Sequence, residues 1–206
     1  MSNFGIAPDG SWAVAADYAW DNPPFEQSGY HPVIGVTWKD AVAFCEWLTL
    51  EEKKLGLLRQ SVQYRLPTSP EWSLAARVLA TGNAKLVFAW GTLWPPISLS
   101  GNYSPQISMG TAYGPVVYDD GYFFTSPVGV FRAKTPFPDL GGNVREWCQT
   151  EDPSRERRVI RGGAWDLLVP KNESMKNVMR LDHEAYEKPD ARWSNLGFRV
   201  LLDLGT

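Results

Sequence analysis

The feature that most constrains this chain is Arg161-Gly162-Gly163-Ala164-Trp165, read with Leu196-Gly197-Phe198-Arg199-Val200 near the C-terminus. Two glycines ahead of a tryptophan require a backbone that turns tightly while a large aromatic anchors it. The closing Gly-Phe-Arg-Val-Leu-Leu reads as a final buried strand, with Phe198, Val200 and Leu202 on alternate positions. The roughly thirty residues between these blocks show neither helical nor strand period. A charged, aromatic segment pinned at both ends by core elements is the natural place for function.

Composition narrows the class. At 206 residues, 44% hydrophobic and 21% charged, the chain is long enough for a core and is globular. A net charge of -3 and the absence of Lys/Arg runs interleaved with aromatics exclude nucleic acid as a partner. No apolar stretch approaches the ~18 residues of a membrane span. The N-terminus lacks the basic and apolar regions of a signal peptide, so a cytoplasmic protein is expected, or a surface-exposed or phage-associated one if a leader has been removed. Ten tryptophans beside 18 glycines and 16 prolines predict irregular backbone pinned by aromatics, not long regular elements.

Along the chain, residues 1–30 read as an aromatic N-terminal extension laid on the core, with one short strand. His31 to Val36 reads as a short apolar strand. Thr37 with Asp40 three residues on resembles a capping box. The helix it opens runs from Trp38 to about Leu58, with Ala41, Phe44, Cys45, Leu48 and Leu55 near one face. Tyr64 to Thr68 is a short strand running into a second cap, where Pro70 and Glu71 follow Thr68. Trp72, Ala75, Ala76 and Leu79 form that second helix's buried face, and Gly82 ends it. Residues 86–160 are expected to form loops around small strands. No internal repeat and no linker divide the chain, which reads as one domain over 1–206.

The ordered blocks are more informative than any one. They run His31-Pro-Val, Gly35-Val-Thr-Trp38-Lys-Asp40-Ala41, Tyr64-Arg65-Leu66-Pro67-Thr68 and Glu71-Trp72. Asn102-Tyr103, Ser126-Pro127-Val128-Gly129 and Leu140-Gly141-Gly142-Asn143-Val144-Arg-Glu146-Trp147 follow, then Arg161-Gly162-Gly163-Ala164-Trp165 and Gly197-Phe198-Arg199-Val200. Over about residues 30–202 this series resembles the formylglycine-generating enzyme (sulfatase-modifying factor) family. The resemblance implies an α+β, C-type-lectin-like fold: two helices, a small twisted sheet and much irregular loop.

Fold does not settle function. The family's oxidases hold copper with two cysteines shortly after the Gly-Gly-Ser block, thiolates being soft ligands for Cu(I). A gap-free frame from Gly162-Gly163 puts those positions at about Leu167 and Asn172, keeps a basic pair as Lys176 and Arg180, and finds Ala164 in place of the serine. The two cysteines, Cys45 and Cys148, lie elsewhere and read as buried free thiols, so no copper is expected. The family's sulfoxide synthases hold iron with histidines of an added domain; here His31 reads as structural and His183 as surface. A structural calcium fits better. The resemblance places it on Asn102, the Tyr103 carbonyl, Asp120 and the Tyr122 carbonyl, all oxygen donors suited to a hard cation. A second ion would use Glu146 with the carbonyls of Asp139, Gly142 and Val144.

Without copper cysteines, the segment from Asp166 to Asn195 is expected to be a binding surface. Its candidate contact residues are Asp166, Leu168, Asp182, His183, Glu184, Tyr186, Lys188, Ala191, Trp193, Ser194 and Asn195. Rigid aromatics among short polar residues suit recognition of a protein or small-molecule ligand. Retroelement-diversified members of the family carry their variable residues in this segment, and Asp, His, Tyr, Ser and Asn are all reachable from asparagine codons by adenine changes. The rival expectation is a metal-dependent oxidoreductase of the same family with a different active site.

Overall fold

The structure, a computed structural model, describes residues 3–6, 12–15, 19–77, 86–94, 96–97, 99–103, 118, 120–131, 137–166 and 173–205. Its centre is a four-stranded sheet, β4 (Arg145–Glu151), β5 (Arg158–Arg161), β6 (Ala185–Glu187) and β7 (Leu196–Phe198), in the order β6-β5-β4-β7. β5 is antiparallel to both β4 and β6, whereas β7 runs parallel to β4. Successive side chains of a strand point to opposite faces, and the packing follows that alternation. Trp147 and Ile160 face α1 (Trp38–Lys54), packing on Ala41 and Cys45. Cys148 and Val159 face α2 (Ser69–Arg77), packing on Trp72 and Ala76. The sheet is thus covered on both sides, one helix to each.

Both helices start as their sequences dictate. In α1 the Thr37 hydroxyl accepts from the Asp40 N–H at 3.1 Å and the Asp40 carboxylate accepts from the Thr37 N–H at 2.9 Å. In α2 the Thr68 N–H donates to Glu71 at 2.8 Å. α1 stops at Lys54, one turn short of the expected Leu58, because Gly56 enters the left-handed region at φ +71°. Its buried stripe is Ala41, Cys45 and Thr49; Phe44 and Leu55, expected inside, are exposed. Leu79 and Gly82 lie outside the described residues.

Other expectations are corrected. His31 to Val36 is irregular backbone, since Pro32 has no N–H to offer and Gly35 turns at φ +67°. The N-terminal extension holds two strands, β1 (Asn3–Ile6) and β2 (Trp12–Ala15), paired as an antiparallel hairpin. The closing strand is two strands serving two sheets. β7 joins β4, and after Val200 β8 (Leu201–Asp203) pairs antiparallel with β3 (Gln63–Arg65). Val200 and Leu202 are therefore exposed, not buried. The segment expected to lack regular structure contains α3 (Glu173–Val178) as well as β6.

The Gly-Gly turn is as tight as expected. Gly162 has φ +83°, and a Cβ on Gly163 would overlap the Gly141 carbonyl oxygen. The turn delivers Trp165 fully buried against Phe25 and Phe124, ring centroids 5.6 and 5.3 Å away.

Candidate functional site

The segment after Trp165 is gripped by its main chain. Arg161, 2% exposed, donates to the Leu181 carbonyl at 2.7 Å. The Trp38, Gly35 and Arg145 N–H groups donate to the carbonyls of Pro189, Trp193 and Asn195, and the Trp165 indole to that of Ser194. These donors lie outside the segment, so part of the hold on residues 181–195 falls on backbone acceptors.

Four candidate residues turn inward. Ala191 and Trp193 pack against the Trp147–Ile160 cluster, and Ser194 is buried. Asn195 donates to both oxygens of the half-buried Asp166, at 3.1 and 3.0 Å. Burial pushes the Asp166 carboxyl upward, against the pull of the Asn195 hydrogen bond and of the Arg145 charge. These residues hold the segment's shape and do not present it. Leu168 lies outside the described residues, as do positions 167 and 172 of the copper frame.

Four others face solvent: Asp182, Glu184, Tyr186 and Lys188. Asp182 is held by Arg180 at 2.7 Å. Tyr186, 38% exposed on edge strand β6, donates its hydroxyl to Glu184 Oε2 at 3.2 Å. Glu184 Oε1 in turn meets Arg161 Nη1 at 3.0 Å and the Ser69 hydroxyl. Arg161 also reaches Ser73 at 2.9 Å and lies 4.7 Å over the Trp72 ring. The exposed phenol thus stands on a chain of polar contacts that ends in the core. Sequence reading missed Ser69 and Ser73, which lie about ninety residues away from Arg161. It also missed the β4–β5 turn, whose Asp152 and Arg157 act electrostatically on Tyr186. His183 is half-buried, and its proton affinity is lowered by burial and then by Arg145 and Arg161.

Asn102 and Asp120, the two side chains expected to take calcium, are both buried. Asp120, buried, accepts from the N–H groups of Tyr103 at 2.9 Å and Tyr122 at 3.0 Å. Asn102 is wholly buried; its amide donates to the Phe124 carbonyl, while its Oδ1 has no hydrogen-bond partner among the described residues. An orphaned buried carbonyl oxygen is a group that a hard cation would satisfy, and Asp120 is tied to the residue that follows Asn102, so the donor chemistry fits the ion. Glu146 has other partners: both its oxygens face Arg199 at 2.5 Å, and the Trp72 indole donates at 2.7 Å. That carboxylate is engaged in an ion pair with Arg199.

Cys45 sits in α1 and Cys148 in β4, both buried. Burial pushes the Cys45 thiol up to about 11 and raises Cys148 further. His31 makes the structural contact expected of it, Nδ1 to Thr125 Oγ1 at 3.0 Å. Among the described residues no helix is long and apolar enough to cross a membrane.

Helices on both faces of a small sheet, with tryptophan-pinned loops carrying the exposed groups, define an α+β domain of the formylglycine-generating-enzyme type. The profile of the sulfatase-modifying factor enzyme 1-like domain matches residues 7–204, and the chain belongs to that family. It is 29% identical to the inactive Cα-formylglycine-generating enzyme 2 of Bos taurus over 203 residues, covering 94% of this chain and 59% of that protein. It is also 29% identical to the formylglycine-generating enzyme of Thermomonospora curvata over 224 residues, covering 96% and 66%. The chain therefore spans less than two thirds of either relative. In fold it resembles PvdO from Pseudomonas aeruginosa (TM-score 0.61, 22% identity, 97% of this chain and 71% of that one). Treponema denticola variable protein 1 is similar too, with a TM-score of 0.58, 21% identity and coverage of 85% and 72%.

Proposed function

We propose that this domain binds a protein or small-molecule ligand through the exposed part of its C-terminal segment, centred on Glu184, Tyr186 and Lys188, and has no formylglycine-generating activity. The observation that carries this reading is the path from the Tyr186 hydroxyl through Glu184 to buried Arg161. It fixes an aromatic contact residue in place before any ligand arrives, which lowers the ordering cost of binding. The placement of both thiols in buried core positions, with proton affinities raised, supports the absence of thiolate-held copper. The relative described as inactive and the variable-protein neighbour are consistent with a non-catalytic role.

Calcium belongs to the same proposal as a structural ion. Asn102 Oδ1, Asp120 and the Tyr103 and Tyr122 carbonyls would hold it, fixing loops and taking no part in chemistry. Diversification of the surface by a retroelement is the finer form of the proposal.

The test is to pan a random-peptide library on the immobilised domain and count clones retained by the native chain but lost on Tyr186→Ala. A clonal set with that property supports the reading; formylglycine formed from a cysteine peptide in the presence of copper overturns it. Sequencing the gene's flanks for a non-coding near-copy of codons 162–199, differing mainly at adenines beside a reverse transcriptase, decides the finer form.

A further inference from the structure

Helix α1 turns Ala41, Cys45 and Thr49 into the core, so its opposite face should be polar. Instead Trp47 and Leu50 stand there, 54% and 58% exposed, with Phe44, 41% exposed, at the flank between them and the buried stripe. The Phe44 ring lies 5.6 Å from that of Trp47 and 5.5 Å from that of Phe198. Past Phe198 the apolar surface continues into a cavity of about 560 Å³ lined by Trp20, Val33, Val36 and Val200. With aromatic side chains offering ~150–250 Å² each, Trp20, Phe44 and Trp47 alone leave on the order of 350 Å² open. Leu50 on the helix and Val200 in the cavity wall extend the face toward the upper end of the ~300–600 Å² that the largest patch of a monomer reaches, a size at which such patches are often interaction sites.

The order of residues along this face identifies its occupant. Asp40 lies two helical turns before Trp47, and Lys54 two turns after it. Ala43 and Phe44 precede Trp47 by about one turn; Leu50 and Glu51 follow it by the same interval. In an antiparallel pair of such helices with a two-fold axis at Trp47, that tryptophan meets its own copy and Phe44 meets Leu50. Ala43 leaves room for Glu51, and Asp40 meets Lys54 at both ends. Moving the axis one turn toward the C-terminus sets Trp47 against Lys54 and loses every match.

We infer that this face packs against a second copy of the chain, α1 antiparallel to α1 about a two-fold axis at Trp47. The interface is isologous, the commonest kind among soluble oligomers. Asp40 keeps its own Arg192 at 2.9 Å and Lys54 its own Glu51 at 2.6 Å, so the rim charges set register and Trp47 supplies the affinity.

The test is sedimentation equilibrium on the full chain, where a species of twice the 23.1 kDa monomer mass is expected. Trp47→Glu should weaken self-association roughly 30-fold or more, as loss of a central aromatic anchor does, with the urea midpoint unchanged at concentrations low enough for both chains to be monomeric. Trp47→Cys should form a disulfide-linked dimer on oxidation, while Lys39→Cys should not; Cys45 and Cys148 are buried and do not compete. A chain that stays monomeric at its highest soluble concentration overturns the inference. So does a dimer that survives Trp47→Glu, or a face that takes up a different protein and not its own copy.

Discussion

Arg199 and Glu146 meet in parallel, Nε and Nη2 of one against Oε2 and Oε1 of the other, both at 2.5 Å. Glu146 is 4% exposed on β4, and Arg199 directly follows β7, so the pair clamps two neighbouring parallel strands. Removing one partner of a buried pair strands the other charge. Arg199→Ala should therefore lower unfolding free energy by about 3–5 kcal/mol. The double variant Glu146→Gln/Arg199→Met should recover part of that loss; equilibrium urea unfolding measures both.

Tyr186 is half in solvent and packs in no core cluster among the described residues, so truncating it should barely touch the fold. Tyr186→Ala should shift unfolding free energy by no more than about 0.5 kcal/mol. Arg161→Ala, by contrast, removes partners from Ser69, Ser73, Glu184 and the Leu181 carbonyl at once, and should cost several times more. Thermal melts of the two variants side by side give the comparison.

If calcium occupies the Asn102–Asp120 cluster, the melting temperature should rise with added calcium and fall with chelator, since a ligand of the folded state alone stabilises by mass action. Asn102→Ala should abolish the calcium response. A melting curve indifferent to both additions would mean that Asn102 Oδ1 is satisfied by water.

Acid should weaken the fold in two stages. Burial lowers the proton affinity of His31 and His183 in the folded protein. Their contribution is complete above about pH 6.5 and is lost as pH falls below it. Arg65, first among its partners, holds Glu71 down to about 2. That contribution is present above about pH 4.5 and disappears as pH falls toward 2. Asp166 and Asp139, raised by burial, act in the opposite sense and blunt the lower stage. Urea midpoints against pH should show both stages, and Glu71→Gln should flatten the lower one.

What could be read from the sequence was mostly local. The Thr37–Asp40 and Thr68–Glu71 caps involve groups three residues apart, and the Gly162-Gly163 turn is written in two consecutive residues. Block order then carried the family and with it the fold. The errors arose where one pattern has two physical solutions. Phe198, Val200 and Leu202 alternate as one strand would, yet the backbone changes sheets at Arg199 and Val200, leaving two of the three exposed. Phe44 sits at the edge of the helical stripe, and only the position of Phe198 decides which side it takes. Of the candidate surface, Tyr186 and Glu184 emerged as exposed, while Trp193 and Ala191 turned to the core for want of any local sign separating an inward aromatic from an outward one. Arg161's hold on Ser69 and Glu184 joins residues far apart in sequence, and no pattern within either neighbourhood announces it.

Besides its inward side chains, the segment that carries Tyr186 is fastened by its peptide carbonyls: Leu181, Pro189, Trp193, Ser194 and Asn195 each accept from a donor outside the segment. Every residue type supplies the same carbonyl. A gene could therefore rewrite the outward positions, Asp182 or Lys188, without renegotiating how the loop is seated, much as differently toothed keys are cut from one blank.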